Sequence, residues 1–427
     1  MTDSATVTDE QYNEMFSLDK QVEILGTGLI DDPYPVFAEL LAKGPVHKGT
    51  LSECMGLPAE RSGRVYVPGK TYYSVFSYQA VSDVFTRKDD FNSEFYYEIG
   101  IDKSFGETIL NMDGLRHRRY RDLIQPLFQP AFAADWWKNN VITGLIDELV
   151  GAFEKDRTAD LNTQFFSRLP LRTITTGFGM TVDEGIAFRQ QMHQVLHVGT
   201  SQEETDSAFD EMGLVIYRVI RERQANPRND IISKLAHADL KEDDGSTRKL
   251  TVEEVAAFCR LILTAGADTT WRQLGTALFA LLNHPDQLAA VIADRSLLGD
   301  AILEATRWYP PDPVFPRSVA RDTVLHGVEL PKGAALHLCI YAANRDPSRW
   351  EDPDKFDIYR PVQRSVAFAA GAHSCLGQHL ARQEMALALN ALFDRFPNIR
   401  WDPSKPKAEM VGGLMQRGPT ALNVLLD

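Results

Sequence analysis

Residues 368–382 read FAAGAHSCLGQHLAR, and the reading of this stretch decides the fold. One cysteine, Cys375, stands among glycines, with His373 just before it and His379 just after. Through Phe396, the apolar residues Leu380, Ala381, Met385, Leu389, Leu392 and Phe396 recur at helical spacing. Cys375 is therefore expected at the mouth of a helix, where backbone N–H groups and the helix dipole favour a thiolate. Gly371 and Gly377 bracket it, as a backbone approached by something bulky requires. Three roles suit such a sulfur. It can bind zinc with His373 and His379, though no second cysteine pair completes that set. It can be a nucleophile if a general base lies in reach. It can also be a small buried hydrophobe.

The rest of the chain bounds the choice. Its 427 residues carry no Pro/Gly/Ser-rich linker and no internal repeat, so a single domain over 1–427 is expected, with about residues 1–25 as a loose N-terminal segment. A hydrophobic fraction of 44% is ample for a core. No apolar run approaches about 18 residues, and the N-terminus is polar and acidic, so neither a spanning helix nor a signal peptide is expected. Cys54, Cys259, Cys339 and Cys375 are scattered without paired spacing, which fits free thiols in a reducing cytoplasm. A net charge of −14 argues against nucleic acid as a partner.

Along the chain, DPYPVFAELLAKG near residue 32 predicts a short helix opened by prolines. Residues 64–85 predict strands and then a helix; 131–235 is helical; 318–345 alternates as paired strands with glycine turns; NVLLD adds a last strand. Thr251 and Glu254 form a capping-box pattern that opens a helix to about Asn283, on the order of 50 Å long. The fold class is mainly α with a small β-rich corner.

The cysteine stretch resembles the haem-binding loop of the cytochrome P-450 superfamily, F-G-x-G-x-H-x-C-x-G-x-x-L-A-R. Phe368, Gly371, His373, Cys375, Gly377, Leu380, Ala381 and Arg382 fall in register, and Ala369 stands where the family more often has glycine. The resemblance implies the cytochrome P-450 fold, with the long helix over haem b and Cys375 as the axial ligand of its iron. AGADTT in that helix resembles the family's oxygen-activation motif, which assigns Ala265 to the haem face and Asp268 and Thr269 to an acid–alcohol proton relay. Gly266 costs about 1 kcal/mol relative to alanine in mid-helix, and closeness to a flat cofactor accounts for it. Glu304 and Arg307, in EATR, and Arg360 match the family's structural E-x-x-R triad. His117, Arg121, Arg317 and His373 match its propionate contacts.

The same resemblance draws the substrate pocket from Phe95, Tyr96, Tyr97, Ile99, Ile101, Leu261, Ala265, Val314, Phe315, Leu414 and Met415. That set is apolar and aromatic and implies a hydrophobic small molecule. The implied reaction is insertion of one atom of O2 by a monomeric cytoplasmic enzyme free of membrane. No redox segment is fused, so electrons are expected from a ferredoxin-type donor docking near Arg116, Arg118 and Arg119, a positive cluster on an acidic protein. Two other functions share the fold: a peroxide-driven peroxygenase, and a non-catalytic haem sensor or carrier. Neither needs Asp268 and Thr269.

Overall fold

Thr251 caps the helix on which the architecture is built. In the computed structural model, which describes residues 9–197 and 199–427, this helix runs Val252–Asn283, 32 residues. The Thr251 hydroxyl accepts from the Glu254 N–H at 3.2 Å, and the Glu254 carboxylate accepts from the Thr251 N–H at 2.7 Å. Such a cap contributes about 1 kcal/mol. Arg248 donates twice to the same carboxylate, at 2.7 Å each, which ties the helix start to the hairpin Asp239–Lys241/Thr247–Lys249. Most of the helix is buried all round, as an element crossing a core must be. Arg168–Gly177, Gln202–Ala225 and Leu298–Trp308 pack directly on it.

The β corner is a five-stranded sheet in the order Val46–Lys48, Tyr72–Val75, Ala335–Cys339, Val314–Val319, Phe91–Asn92. Tyr72–Val75 and Ala335–Cys339 are parallel and the other pairings antiparallel. Of the strand character expected over 64–85, only Tyr72–Val75 forms a strand, because Ala59–Val65 winds into a 3-10 helix. In 318–345 a hairpin turns at His326 and Gly327, whose φ values of 49° and 87° are left-handed. Ile340–Ala343 is helical where a strand was expected. All four are buried, and apolar periodicity cannot tell such a run from a strand. Asn423–Leu425 forms the expected last strand, between Arg400–Trp401 and Thr158–Asp160.

A loose segment up to residue 25 does not describe the part from residue 9 onward. Asp9–Met15 and Leu18–Leu25 are helices, and Tyr12, Met15 and Phe16 are buried in the main core. The Phe16 ring meets Trp271 of the long helix edge-on at 6.0 Å. The polar sequence hid this because a few aromatic anchors suffice to seat a short segment.

Candidate active site

Cys375 lies between the 3-10 turn Gly371–His373 and the helix Gln378–Arg395. Its N–H donates to the Phe368 carbonyl at 2.8 Å, closing the loop on itself. Inside that closure Ala369 has φ +54° and Gly371 φ +68°. A Cβ on Gly371 would stand 2.3 Å from the Phe85 carbonyl oxygen, so only glycine fits there. Ala369 bears its Cβ in the left-handed region, at a cost of roughly 1–2 kcal/mol. Ala369→Gly is expected to raise stability by up to about 1 kcal/mol, read as a higher denaturant midpoint at unchanged slope. An unchanged midpoint would mean the loop already relaxes that strain.

Cys375 is deep in the protein, yet it has exposed surface, and that surface faces an internal cavity of about 290 Å³. The walls are mostly apolar, with Phe128, Ile174, Leu261, Ile262, Phe315 and Leu380 prominent. Burial pushes the Cys375 thiol up, against the opposing effects of the Gly377 N–H and the Arg121 charge. Desolvation thus outweighs the helix mouth from which a thiolate was expected.

One edge of the cavity is cationic. Arg121 donates to the Ser374 carbonyl at 2.7 Å and to Gln125 Oε1 at 2.8 Å. Arg317 donates to the Pro316 carbonyl at 2.8 Å, and its guanidinium lies 5.4 Å from the centre of the Phe85 ring. Both are buried, and neither has a carboxylate partner among the described residues. The His117 ring lies against His373 with ring centres 4.2 Å apart and planes inclined at 35°. Its Nε2 is buried without a partner among the described residues, and burial pushes the ring down to about 4, hence neutral. His373 Nε2 is engaged by Asp113 Oδ1 at 3.1 Å and Ser93 Oγ at 3.2 Å.

The opposite wall is the long helix, at Ala265, Gly266 and Thr269. A Cβ on Gly266 would meet Ile174 at 3.4 Å, an ordinary contact, so what a side chain there would fill is the cavity itself. The Thr269 hydroxyl donates to the Ala265 carbonyl at 3.0 Å. Its single proton is committed there, and only lone pairs are left for the cavity. Asp268 does not line this cavity; it faces a second one, which Thr269 also lines. Burial alone would raise the Asp268 carboxyl, but Arg189 at 2.6 Å and the nearby Arg272 overcome it and hold it at about 2. Arg189 in turn bonds the Met15 carbonyl at 3.3 Å and lies 3.8 Å from the Phe16 ring centre.

Glu304, Arg307 and Arg360 meet behind the loop. Arg307 bonds both Glu304 oxygens at 2.7 and 2.8 Å, and Arg360 Nε reaches Glu304 Oε1 at 3.1 Å. The two arginines also donate to the carbonyls of Asn344, Pro353, Lys355, Glu351 and Asp352, so the triad holds the irregular chain that leads to Cys375.

Of the expected pocket residues, Tyr96, Leu261, Ala265 and Phe315 line the cavity. Phe95, Val314 and Leu414 are buried in the core beside the sheet, with Ile99 and Met415 packed against it, and Ile101 is in the main core. Tyr97 does not reach the cavity either. An apolar residue on the right segment can turn either way, and packing decides.

The basic helix Gly114–Ile124 is not an unopposed patch. Arg116 pairs with Glu107, Arg118 with Asp122 at 3.7 Å, and Arg119 with Glu242 at 2.9 Å and Asp243 at 3.3 Å. The expected local excess of positive charge is offset at Arg116 and Arg119 by acids brought from other segments, and only loosely at Arg118, by Asp122 of the same helix.

Several polar residues of the site were not foreseen. Glu384 lines the cavity with its carboxyl raised by burial to about 7, and Gln273 and Asp312 line it too. Glu384 could have been found, because it shares a helical face with Leu380 and Ala388 and is the charged exception there. Asp312 and Arg189 carry no local signal. Among the described residues no group of three or more His, Cys, Asp or Glu side chains is placed to hold a metal ion, which removes the zinc reading of Cys375.

A single sulfur donor facing a mostly apolar slot, with two buried guanidiniums lacking anions, fits a large flat group that bears carboxylates and takes a thiolate ligand. The family model for cytochrome P450 matches residues 186–423, more than half of the chain. The chain belongs to the cytochrome P450 family. Its similar proteins include the cytochrome P450 monooxygenase PikC of Streptomyces venezuelae, 28% identical over 94% of this chain and 92% of that one. Cytochrome P450 107B1 of Saccharopolyspora erythraea is 32% identical over 76% of this chain and 78% of its own length. The crystal structure of CYP109E1 from Bacillus megaterium with testosterone superposes with a TM-score of 0.77 at 26% identity, covering 93% of this chain and 100% of that one. As a P450 the protein is an oxidoreductase of the oxygen-incorporating class, and the family binds haem b through thiolate-ligated iron. Among the described residues no helix is long and apolar enough to cross a membrane.

Proposed function

We propose that this P450 inserts one atom of O2 into a hydrophobic small molecule, with electrons delivered by a separate ferredoxin-type protein. The observation that carries the reading is Cys375, deep in the protein with its exposed surface on an apolar cavity, and Thr269 on the wall formed by the long helix. Haem held by Cys375 would supply the redox chemistry of O2 activation. Arg121 and Arg317, with His117 and His373 beside them, would bind its two carboxylates, and Phe368, Gly371 and Gly377 would shape the cysteine side. Glu304, Arg307 and Arg360 would keep that loop in place. Tyr96, Leu261 and Phe315 offer an apolar surface to substrate and exclude water. In keeping with this, the cited CYP109E1 structure holds testosterone. Phe95, Val314, Leu414 and Met415 would act only by backing that wall. The chain would work as one catalytic domain and as a monomer. All four cysteines are unpaired, which suits the cytoplasm.

Turnover with ferredoxin, reductase and O2, compared with turnover on peroxide alone, tests the reading. Product formed only with peroxide would make the protein a peroxygenase, and no product with either would leave a sensor or carrier. The relay has its own test. Thr269 presents lone pairs to the cavity while Asp268 stays ionised and held by Arg189, so Thr269 would accept a hydrogen bond from the proton-donating water and the Asp268 carboxylate would orient the water that follows it from the second cavity. Thr269→Ala is expected to bind substrate as the wild type does but to divert most reducing equivalents to hydrogen peroxide. Unchanged coupling of electrons to product would show that protons arrive by another route.

The donor is proposed to dock on the cysteine side, flanked by Arg116, Arg118 and Arg119. Arg116 and Arg119 are in close ion pairs, whereas Arg118 is 77% exposed and only loosely paired, so it is the better probe. Arg118→Glu should slow first-electron reduction up to about fivefold at low salt. The difference should vanish above physiological ionic strength, where screening acts over about 8 Å. A defect that persists at high salt would place the effect outside docking.

A further inference from the structure

The second cavity, of about 220 Å³, lies between the long helix, the helix Val182–Leu196 and the N-terminal helix Leu18–Leu25. It adjoins the first: Ala265, Thr269 and Asp312 stand in the walls of both. Its lining is apolar at Ile24, Leu25, Leu196 and Ala265 and polar elsewhere.

One of its acceptors, on Gln21, lacks a donor, and another, the Asp312 carboxylate, has more lone pairs than the single side-chain donor it meets. Asp312, just after Pro310 and Pro311, makes no ion pair among the described residues and bonds only the Gln416 side chain. Burial, with the nearby Asp268 charge, lifts its carboxyl to about 6 despite Arg272. Gln21 is 4% exposed; its Nε2 donates to the Met15 carbonyl at 3.4 Å, and its Oε1 is buried without a partner among the described residues. The neighbouring cations do not supply that donor: Arg189 bonds the Asp268 carboxylate at 2.6 Å, Arg272 bonds the Asp268 carbonyl at 2.8 Å, and neither lines the cavity. A buried acceptor without a donor is costly, and a ligand that brings one relieves the cost. Those same two guanidiniums make the compartment a poor host for a cationic ligand, so the complementary group is a neutral donor.

We propose that the second cavity is the far end of the substrate chamber, where Asp312 and Gln21 accept a hydrogen bond from a hydroxyl group on an otherwise apolar substrate. The substrate would then pass Thr269 and Ala265 with its apolar body in the first cavity and its hydroxyl away from Cys375. Asp312 and Gln21 are specificity residues and take no part in the bond-making step. This assignment rests on the monooxygenase reading for the location of the oxidised carbon.

The haem-loaded protein is tested by equilibrium dialysis with 1-decanol and with 1-methoxydecane, which lacks the donor. The wild type should bind the alcohol about tenfold more tightly than the ether, Asp312→Leu should abolish that preference, and Gln21→Leu should reduce it about threefold. No preference in the wild type, or a preference untouched by both substitutions, overturns the proposal. The ferrous–CO spectrum of each preparation separates the two readings. A wild type with a thiolate-type band but no alcohol preference loses only the hydroxyl subsite, and a wild type without that band loses the haem-thiolate reading instead. If Asp312→Leu does not retain haem, Gln21→Leu, which lies outside the first cavity, decides together with the wild-type pair.

Discussion

Cys375→Ser is expected to abolish the red-shifted Soret band of the ferrous–CO complex and all monooxygenase activity. That band requires a thiolate ligand on the haem iron, which Cys375 would supply and serine, having no sulfur, would not. Three controls are built into the chain. Cys259 and Cys339 are fully buried, and burial pushes both thiols up to about 12; Cys54 lies half-buried near the strand Val46–Lys48. None of them lines the cavity, so replacing each by serine should leave the band in place. A Cys375→Ser protein that kept the band would end the haem-thiolate reading, whatever the fold.

Arg307→Ala is expected to destabilise the protein by about 3–5 kcal/mol and to abolish haem retention. The substitution leaves the buried Glu304 carboxylate with Arg360 as its one cation and the Asp357 N–H beside it, and strips donors from the carbonyls of Asn344 and Pro353. Uncompensated buried charge is what makes breaking such a pair costly, far more than a surface i,i+3 pair at under about 1 kcal/mol. Arg307→Lys should recover little, since one ammonium cannot span both Glu304 oxygens and the carbonyls beyond them. Denaturant unfolding of the apo and haem-loaded forms measures both effects. A loss of under about 1 kcal/mol would mean the loop carries itself.

The parts of the site that were legible in the sequence are those that lie within one element. Cys375 with its glycines, the capped helix over residues 252–283 and the pair Glu304/Arg307 each sit within a single stretch whose spacing fixes their mutual geometry. Ala369 was legible as a departure, and its left-handed φ of 54° shows what the departure means physically. The pocket was less legible. Phe95 and Tyr96 are neighbours in one short helix, yet Tyr96 faces the cavity while Phe95 packs against Tyr72 at a ring-centre distance of 6.2 Å.

By itself the sequence determined the helical class, the cysteine loop, the long helix and the order of the motifs along the chain, because local spacing and capping act over a turn or two. The tertiary structure alone decided how charges and cavities are shared. It joined Arg189 to Asp268, turned Asp268 and Thr269 toward partly different cavities, and seated Phe16 under the Arg189 guanidinium. It also cancelled Arg116 and Arg119 against Glu107 and Glu242. The physical reason is common to all of these. Buried charges must find opposite charge within a few ångströms, and the partner that folding brings there can come from any part of the chain.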